Sequence, residues 1–130
     1  MRLDGIGIFV ENMKTMVEFY RDVLEFEIEW DGKAPNVLLK KDETLFMFYG
    51  RNDFEEMTSR KYSYASGING HFEIALSAKN FADVDEMYQT VISKGVTSIM
   101  EPKTEPWGQR TCFIADPEGN LVEIGSFDKE

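Results

Sequence analysis

The sequence predicts an α+β chain of two tandem βαβββ modules. Three observations carry that prediction. The order strand, helix, strand, strand, strand can be read twice along the chain; apolar residues alternate with period two in the strands and recur at three and four residue spacing in the helices; and Gly, Pro, Asn and Asp punctuate the joints. Module 1 covers about residues 1–50, module 2 about 71–127, and 51–70 connects them within one domain of 1–130. At 130 residues, such a chain buries about two thirds of its unfolded surface without disulfides.

In module 1, Gly5 to Val10 alternates Ile6, Ile8 and Val10 with Gly5, Gly7 and Phe9, a strand with one nearly bare face. Asn12 can cap the helix that follows, whose stripe is Met13, Met16, Val17, Tyr20 and Leu24 and which ends near Glu25. Phe26 to Trp30 and Val37 to Lys41 read as strands joined across Asp31 to Asn36. Lys41-Asp42-Glu43 reverses the chain into Thr44 to Tyr49, which sets Leu45, Met47 and Tyr49 on one face and Phe46 and Phe48 on the other.

Residues 50–70 form a polar connection with Phe54, Tyr62 and Tyr64, a helical turn expected over Asn52 to Arg60, and a flexible Ser66 to Gly70. A connection of this length inside a compact domain often serves binding. The first pattern then returns. His71 to Ala78 is a strand, Phe81, Val84, Tyr88 and Val91 stripe a helix ending at Lys94-Gly95, and Val96 to Met100 is a strand. Arg110 to Ala115 and Asn120 to Ser126 make a hairpin around Asp116-Pro117-Glu118-Gly119-Asn120, where proline presets one φ and glycine supplies a positive one. Parity turns Leu121, Glu123 and Gly125 away from Val122 and Ile124. The halves align Gly5 with Glu73, Phe19 with Tyr88, Phe26 with Val96 and Met47 with Glu123, an internal duplication.

Composition bounds the function. Fourteen basic against 24 acidic residues give a net charge of -10, which opposes nucleic acid and anionic membrane surfaces and mildly favours neutral or cationic small molecules. A lone Cys112, no apolar run approaching 18 residues and structure beginning near Leu3 point to the reducing cytoplasm.

Phe19 to Phe26 (FYRDVLEF), Lys94-Gly95-Val96, Pro106-Trp107-Gly108, and Asp116 to Asn120 followed by Glu123 together resemble the vicinal oxygen chelate superfamily of glyoxalases, bleomycin resistance proteins and extradiol dioxygenases. The resemblance covers nearly the whole chain and departs from the family pattern at Glu25, where the family has glycine. It implies a glyoxalase/bleomycin resistance-type curved sheet around a central pocket, and a homodimer, with pockets completed within one chain or across two. It also implies four metal-bearing positions, which fall on Gly5, Met47, Glu73 and Glu123. Glycine offers no ligand and a thioether suits a hard or borderline divalent ion poorly, so the residual ligand positions are Glu73 and Glu123, and no metal or other cofactor is expected. His71, two residues from Glu73, is the one histidine that could supplement them.

On this reading Phe9, Met47, Tyr49, Glu73, Trp107, Arg110 and Glu123 contact a ligand. The expected function is a small-molecule-binding protein of the bleomycin resistance type, sequestering a neutral or cationic aromatic ligand without metal. Aromatic faces attract cations, and paired carboxylates suit a protonated ligand. The alternative is a metal-dependent, glyoxalase-like lyase or isomerase of the lactoylglutathione lyase type, with Glu123 as general base. A ring-cleaving oxygenase is disfavoured by the single histidine. A third reading has the protein act by association alone.

Overall fold

Strand β1 (Ile6–Val10) buries Ile8 and Val10 and leaves Gly7 and Phe9 exposed, the alternation read from the sequence. In the computed structural model, which describes all 130 residues, the chain divides into two compact units, Met1–Tyr64 and Ala65–Glu130. The chain is α+β, with two four-stranded sheets and three helices.

In the first unit Asn12 caps α1 (Met13–Glu18), its side chain accepting from the Thr15 amide at 3.2 Å. The helix then widens into a π-type turn over Phe19–Val23. This brings Tyr20, fully buried, edge-on against Phe26 and Phe48 at 5.2 and 5.3 Å between ring centroids. The turn closes at Glu25 with φ of 60°, a left-handed conformation that a side chain adopts at a cost of about 1 kcal/mol relative to glycine. Strands β2 (Glu27–Ile28), β3 (Asn36–Lys41) and β4 (Thr44–Gly50) complete a sheet of order β1-β4-β3-β2, parallel between β1 and β4 and antiparallel elsewhere. Val37, Leu39, Phe46 and Phe48 are buried with Met16, Val17 and Tyr20, while Leu38 is exposed.

The helical turn expected over Asn52 to Arg60 is α2 (Arg51–Thr58), and both it and the returning segment up to Tyr64 belong to the first unit. The reason is a hub at the buried Glu55. Its carboxylate accepts from the Lys61 ammonium at 3.1 Å and from the Tyr62 amide and Tyr64 hydroxyl at 3.2 Å each. Lys61 first, and then these other donors, hold the Glu55 carboxyl below the usual range.

In the second unit the same topology recurs with β5 (Glu73–Ser77), α3 (Phe81–Ser93), β6 (Thr97–Thr104), β7 (Arg110–Ala115) and β8 (Leu121–Ser126), in the order β5-β8-β7-β6. Asn80 caps α3 by accepting from the Asp83 amide at 3.0 Å. Val84, Tyr88 and Val91 of α3 are buried, as are Ile74, Cys112, Ile114, Val122 and Ile124 of the sheet. Strand β6 runs on past the expected end at Met100 and through Pro102. It lies at the sheet edge, where a residue without an N–H is tolerated, and its pairing with β7 is irregular on both sides of Met100. No helix is long and apolar enough to cross a membrane.

Candidate functional site

Strand pairing decides which side chains of the second unit can meet. Ala75 lies opposite Glu123, Glu123 opposite Phe113, and Gly125 opposite Thr111, so these side chains share one face of the sheet. Glu73, two residues before Ala75, points to the same side. Arg110, Cys112, Ile114, Val122 and Ile124 take the other, helix-covered side.

On the open face the Glu73 and Glu123 carboxyl groups lie near enough to perturb each other. Desolvation, followed by the neighbouring charge of Glu123, raises the Glu73 carboxyl above its usual range. Glu123 Oε1 also accepts from Gln109 Nε2 and from Thr111 Oγ1, each at 2.8 Å. Gln109 Oε1 in turn accepts from Trp107 Nε1 at 3.0 Å. The Glu105–Gln109 turn shapes this end: the Gly108 amide donates to the Glu105 carbonyl at 2.9 Å, the Glu105 amide to the Gln109 carbonyl at 2.7 Å, and Gly108 carries a φ of 92°. Trp107 is 63% exposed, so its ring is open to solvent while its N–H is held.

The hairpin turn that carries β8 is fixed by the buried Asp116. Its carboxylate accepts from the Glu118 and Asn120 amides at 2.9 and 3.0 Å and from Asn120 Nδ2 at 2.9 Å. The 65–70 segment docks on this turn through the Asn69 amide, which donates to the Gly119 carbonyl at 2.9 Å.

In the first unit the positions equivalent to the carboxylates are bare. Gly7 pairs with Met47, as Ala75 pairs with Glu123, so Gly5 and Met47 occupy the places of Glu73 and Glu123. A Cβ on Gly5 would stand 2.7 Å from the Leu45 carbonyl oxygen, which leaves no room there for a ligating side chain. Nowhere in the chain are three His, Cys, Asp or Glu side chains grouped to hold a metal ion. The residues present therefore do not fit the four-ligand divalent site that the superfamily resemblance implies.

Phe9 and Tyr49, neighbours across β1 and β4, are met by α2 and the segment after it. Phe54 lies 4.5 Å from Phe9 and 5.2 Å from Tyr49, and Tyr62 packs on Phe54 at 5.4 Å. Tyr64 lies 6.4 Å from Phe9, with the Arg51 guanidinium 4.5 Å over its ring. A cavity of about 420 Å³ opens beside this cluster, between Val10, Met13, Trp30, Pro35, Arg51 and Tyr64. Its walls include neither Glu73 nor Glu123, and its polar groups are largely engaged: Arg51 with Glu11 at 3.5 Å, Asp53 with Asn36 at 2.8 Å, and the Trp30 indole with the Ala34 carbonyl at 2.9 Å.

Of the residues expected to contact a ligand, the structure joins Glu73, Glu123 and, through Gln109, Trp107. Phe9, Met47 and Tyr49 share a face of the first sheet. Arg110 is not brought to the carboxylates. Its guanidinium is tied to Asp85 of α3 at 2.7 and 2.8 Å and to Thr104 at 3.2 Å, because parity turns it to the helix side of β7. His71 lies before β5, exposed, its backbone N–H donating to Asn69 Oδ1 at 3.3 Å. Gln109 and Thr111 went unnoticed in the sequence. Strand parity alone would have found Thr111, whereas Gln109 owes its position to the turn geometry.

The sequence matches the family profile of the Glyoxalase/Bleomycin resistance protein/Dioxygenase superfamily over residues 2–124. It is 29% identical to the uncharacterized protein YraH of Bacillus subtilis over 127 residues, covering 95% of this chain and 97% of that one. Among solved structures, a protein of unknown function from Agrobacterium tumefaciens superposes with a TM-score of 0.75 at 30% identity, covering 97% of this chain and 94% of the other. A lactoylglutathione lyase from the same organism superposes with a TM-score of 0.73 at 20% identity, covering 94% and 91%. The duplicated βαβββ topology, the hairpin bearing Glu123 and these likenesses agree, and the chain belongs to the glyoxalase/bleomycin resistance protein/dioxygenase superfamily.

Proposed function

We propose that the chain is a small-molecule-binding protein that sequesters a cationic or neutral aromatic ligand without metal. The observation that carries this reading is the Glu73–Glu123 pair, two neighbouring acids on one open sheet face beside an exposed indole. A ligand with N–H donors and a positive charge bridges the pair, taking one carboxylate oxygen from each acid in charge-assisted hydrogen bonds. The Trp107 ring supplies a flat, electron-rich surface for the rest of the ligand. Net charge of -10 draws cations toward the protein as a whole.

The test is a thermal-shift and calorimetric titration with benzamidinium, benzyltrimethylammonium, Mn²⁺, Ni²⁺ and Zn²⁺, on the wild type and on Glu73→Gln and Glu123→Gln. Saturable benzamidinium binding that either substitution weakens supports the reading. A metal shift abolished in both variants, with no organic cation bound, overturns it. The hemithioacetal of methylglyoxal and glutathione would then become the substrate to assay, with loss of turnover in Glu123→Gln as the sign of a general base.

A further inference from the structure

The open face of the second unit contains one side chain whose amide is occupied at both ends. Gln109 takes the Trp107 N–H on its oxygen at 3.0 Å and gives its own N–H to Glu123 Oε1 at 2.8 Å. Thr111 donates to that same carboxylate oxygen at 2.8 Å, so Oε1 is saturated by fixed donors and cannot swing. The room for this convergence comes from Gly125. A Cβ there would stand 2.7 Å from Gln109 Nε2, 3.1 Å from Thr111 Oγ1 and 3.2 Å from Glu123 Oε1. At 2.7 Å no carbon is accommodated, and the Gln109 amide, the end of a flexible side chain, would have to shift.

The consequence concerns the indole. Trp107 sits at a turn tip, 63% exposed, where a tryptophan with a free N–H would sample several rotamers. Its N–H is instead held by the amide that holds Glu123. Ring and carboxylate are thereby the two ends of one hydrogen-bonded arm, spanned by the Gln109 amide group and its two hydrogen bonds.

Building on the binding function proposed above, we propose that Gln109 is a positioning residue that sets ligand specificity. By holding the Trp107 ring and the Glu123 carboxylate at a fixed separation, it favours ligands that join a positive N–H donor group directly to a flat ring over ligands that carry the same group alone. Benzamidinium and acetamidinium form a matched probe pair, identical in the amidinium and different in the ring.

The experiment uses the full chain labelled with ¹⁵N, in the wild type and in Gln109→Leu, Gly125→Ala and Trp107→Ala. The Trp107 and Trp30 indole N–H resonances are told apart by the loss of one in Trp107→Ala, and the Trp30 resonance with the melting temperature reports that each variant is folded. Without ligand, Gln109→Leu is expected to move the Trp107 indole proton upfield and speed its exchange. In titrations, the preference for benzamidinium over acetamidinium is expected to fall about fivefold in Gln109→Leu and in Gly125→Ala, as it does in Trp107→Ala, because the contribution of the stacked ring is lost. Acetamidinium affinity falls less than benzamidinium affinity in Gln109→Leu, since Thr111 still donates to Glu123. An unmoved Trp107 resonance, or a probe preference retained in Gln109→Leu but lost in Trp107→Ala, overturns the inference and leaves the binding function standing. Failure of the wild type to bind either probe overturns both.

Discussion

Replacing Gly119 by alanine tests how the second unit holds the strand that bears Glu123. Gly119 has a φ of 88°, so any side chain there is strained by about 1 kcal/mol. The added Cβ would also fall inside the Gly67 carbonyl and close to the Ile68 amide, which are backbone and cannot rotate away. The 65–70 segment must undock, breaking the Asn69 amide bond to the Gly119 carbonyl at 2.9 Å and the weaker side-chain bond to the same oxygen at 3.3 Å. Two such hydrogen bonds are worth about 1 kcal/mol each, and the sum with the strain is about 3 kcal/mol. For a chain of this length that is roughly 10 °C in melting temperature. Gly108→Ala is the control. Its φ of 92° is equally unfavourable, but an added Cβ meets nothing within 4 Å, so only the strain of about 1 kcal/mol is expected. Urea unfolding of both variants reads the difference directly. Equal losses in the two would refute the argument that the 65–70 segment docks on the hairpin turn.

Two further outcomes follow from the titratable groups. The Glu73 carboxyl is raised in the folded chain, so its contribution to stability is complete at low pH and is lost as pH climbs through the raised value. Glu73→Gln does not titrate, so the stability of wild type minus variant should decline in urea melts as pH rises above the ordinary carboxylate range; a flat or rising difference would contradict the raised Glu73 carboxyl. The Cys112 thiol is buried and pushed up to about 11 from 9.0. Its native alkylation at pH 8 should therefore run at least about a hundredfold slower than in the urea-unfolded chain; comparable rates in the two states would contradict its burial.

Much of the fold was legible in the sequence because local chemistry and global pairing agree there. The alternation in Gly5 to Val10 and Thr44 to Tyr49, the Asn12 cap and the Asp116 to Asn120 turn each act over a few residues, and the structure keeps all of them. Where expectation and structure part, a longer-range interaction decides. Residues 51–64 read as a connection because their polarity conceals Glu55, whose three donors come from six to nine residues further on and fold the segment back on α2. Strand β6 outruns its expected end because Pro102 lies on an edge, which only the strand order reveals.

The candidate site divides in the same way. The superfamily resemblance, laid on period-two parity, singled out Glu73 and Glu123 and the missing ligands at Gly5 and Met47, since an alternating strand commits each side chain to one face. Pairing register and turn geometry decided the rest. They brought the two acids near each other, set Gln109 and Thr111 on Glu123 in the space left by Gly125, tied Trp107 to that arm, and drew Arg110 to Asp85 on the far side. Hydrogen bonds depend on tenths of an ångström and on direction, and apart from Trp107–Gln109 the residues that make these ones lie 12 to 25 positions apart along the chain. Parity assigns a side chain to a face, but only the paired sheet sets its distance to a partner.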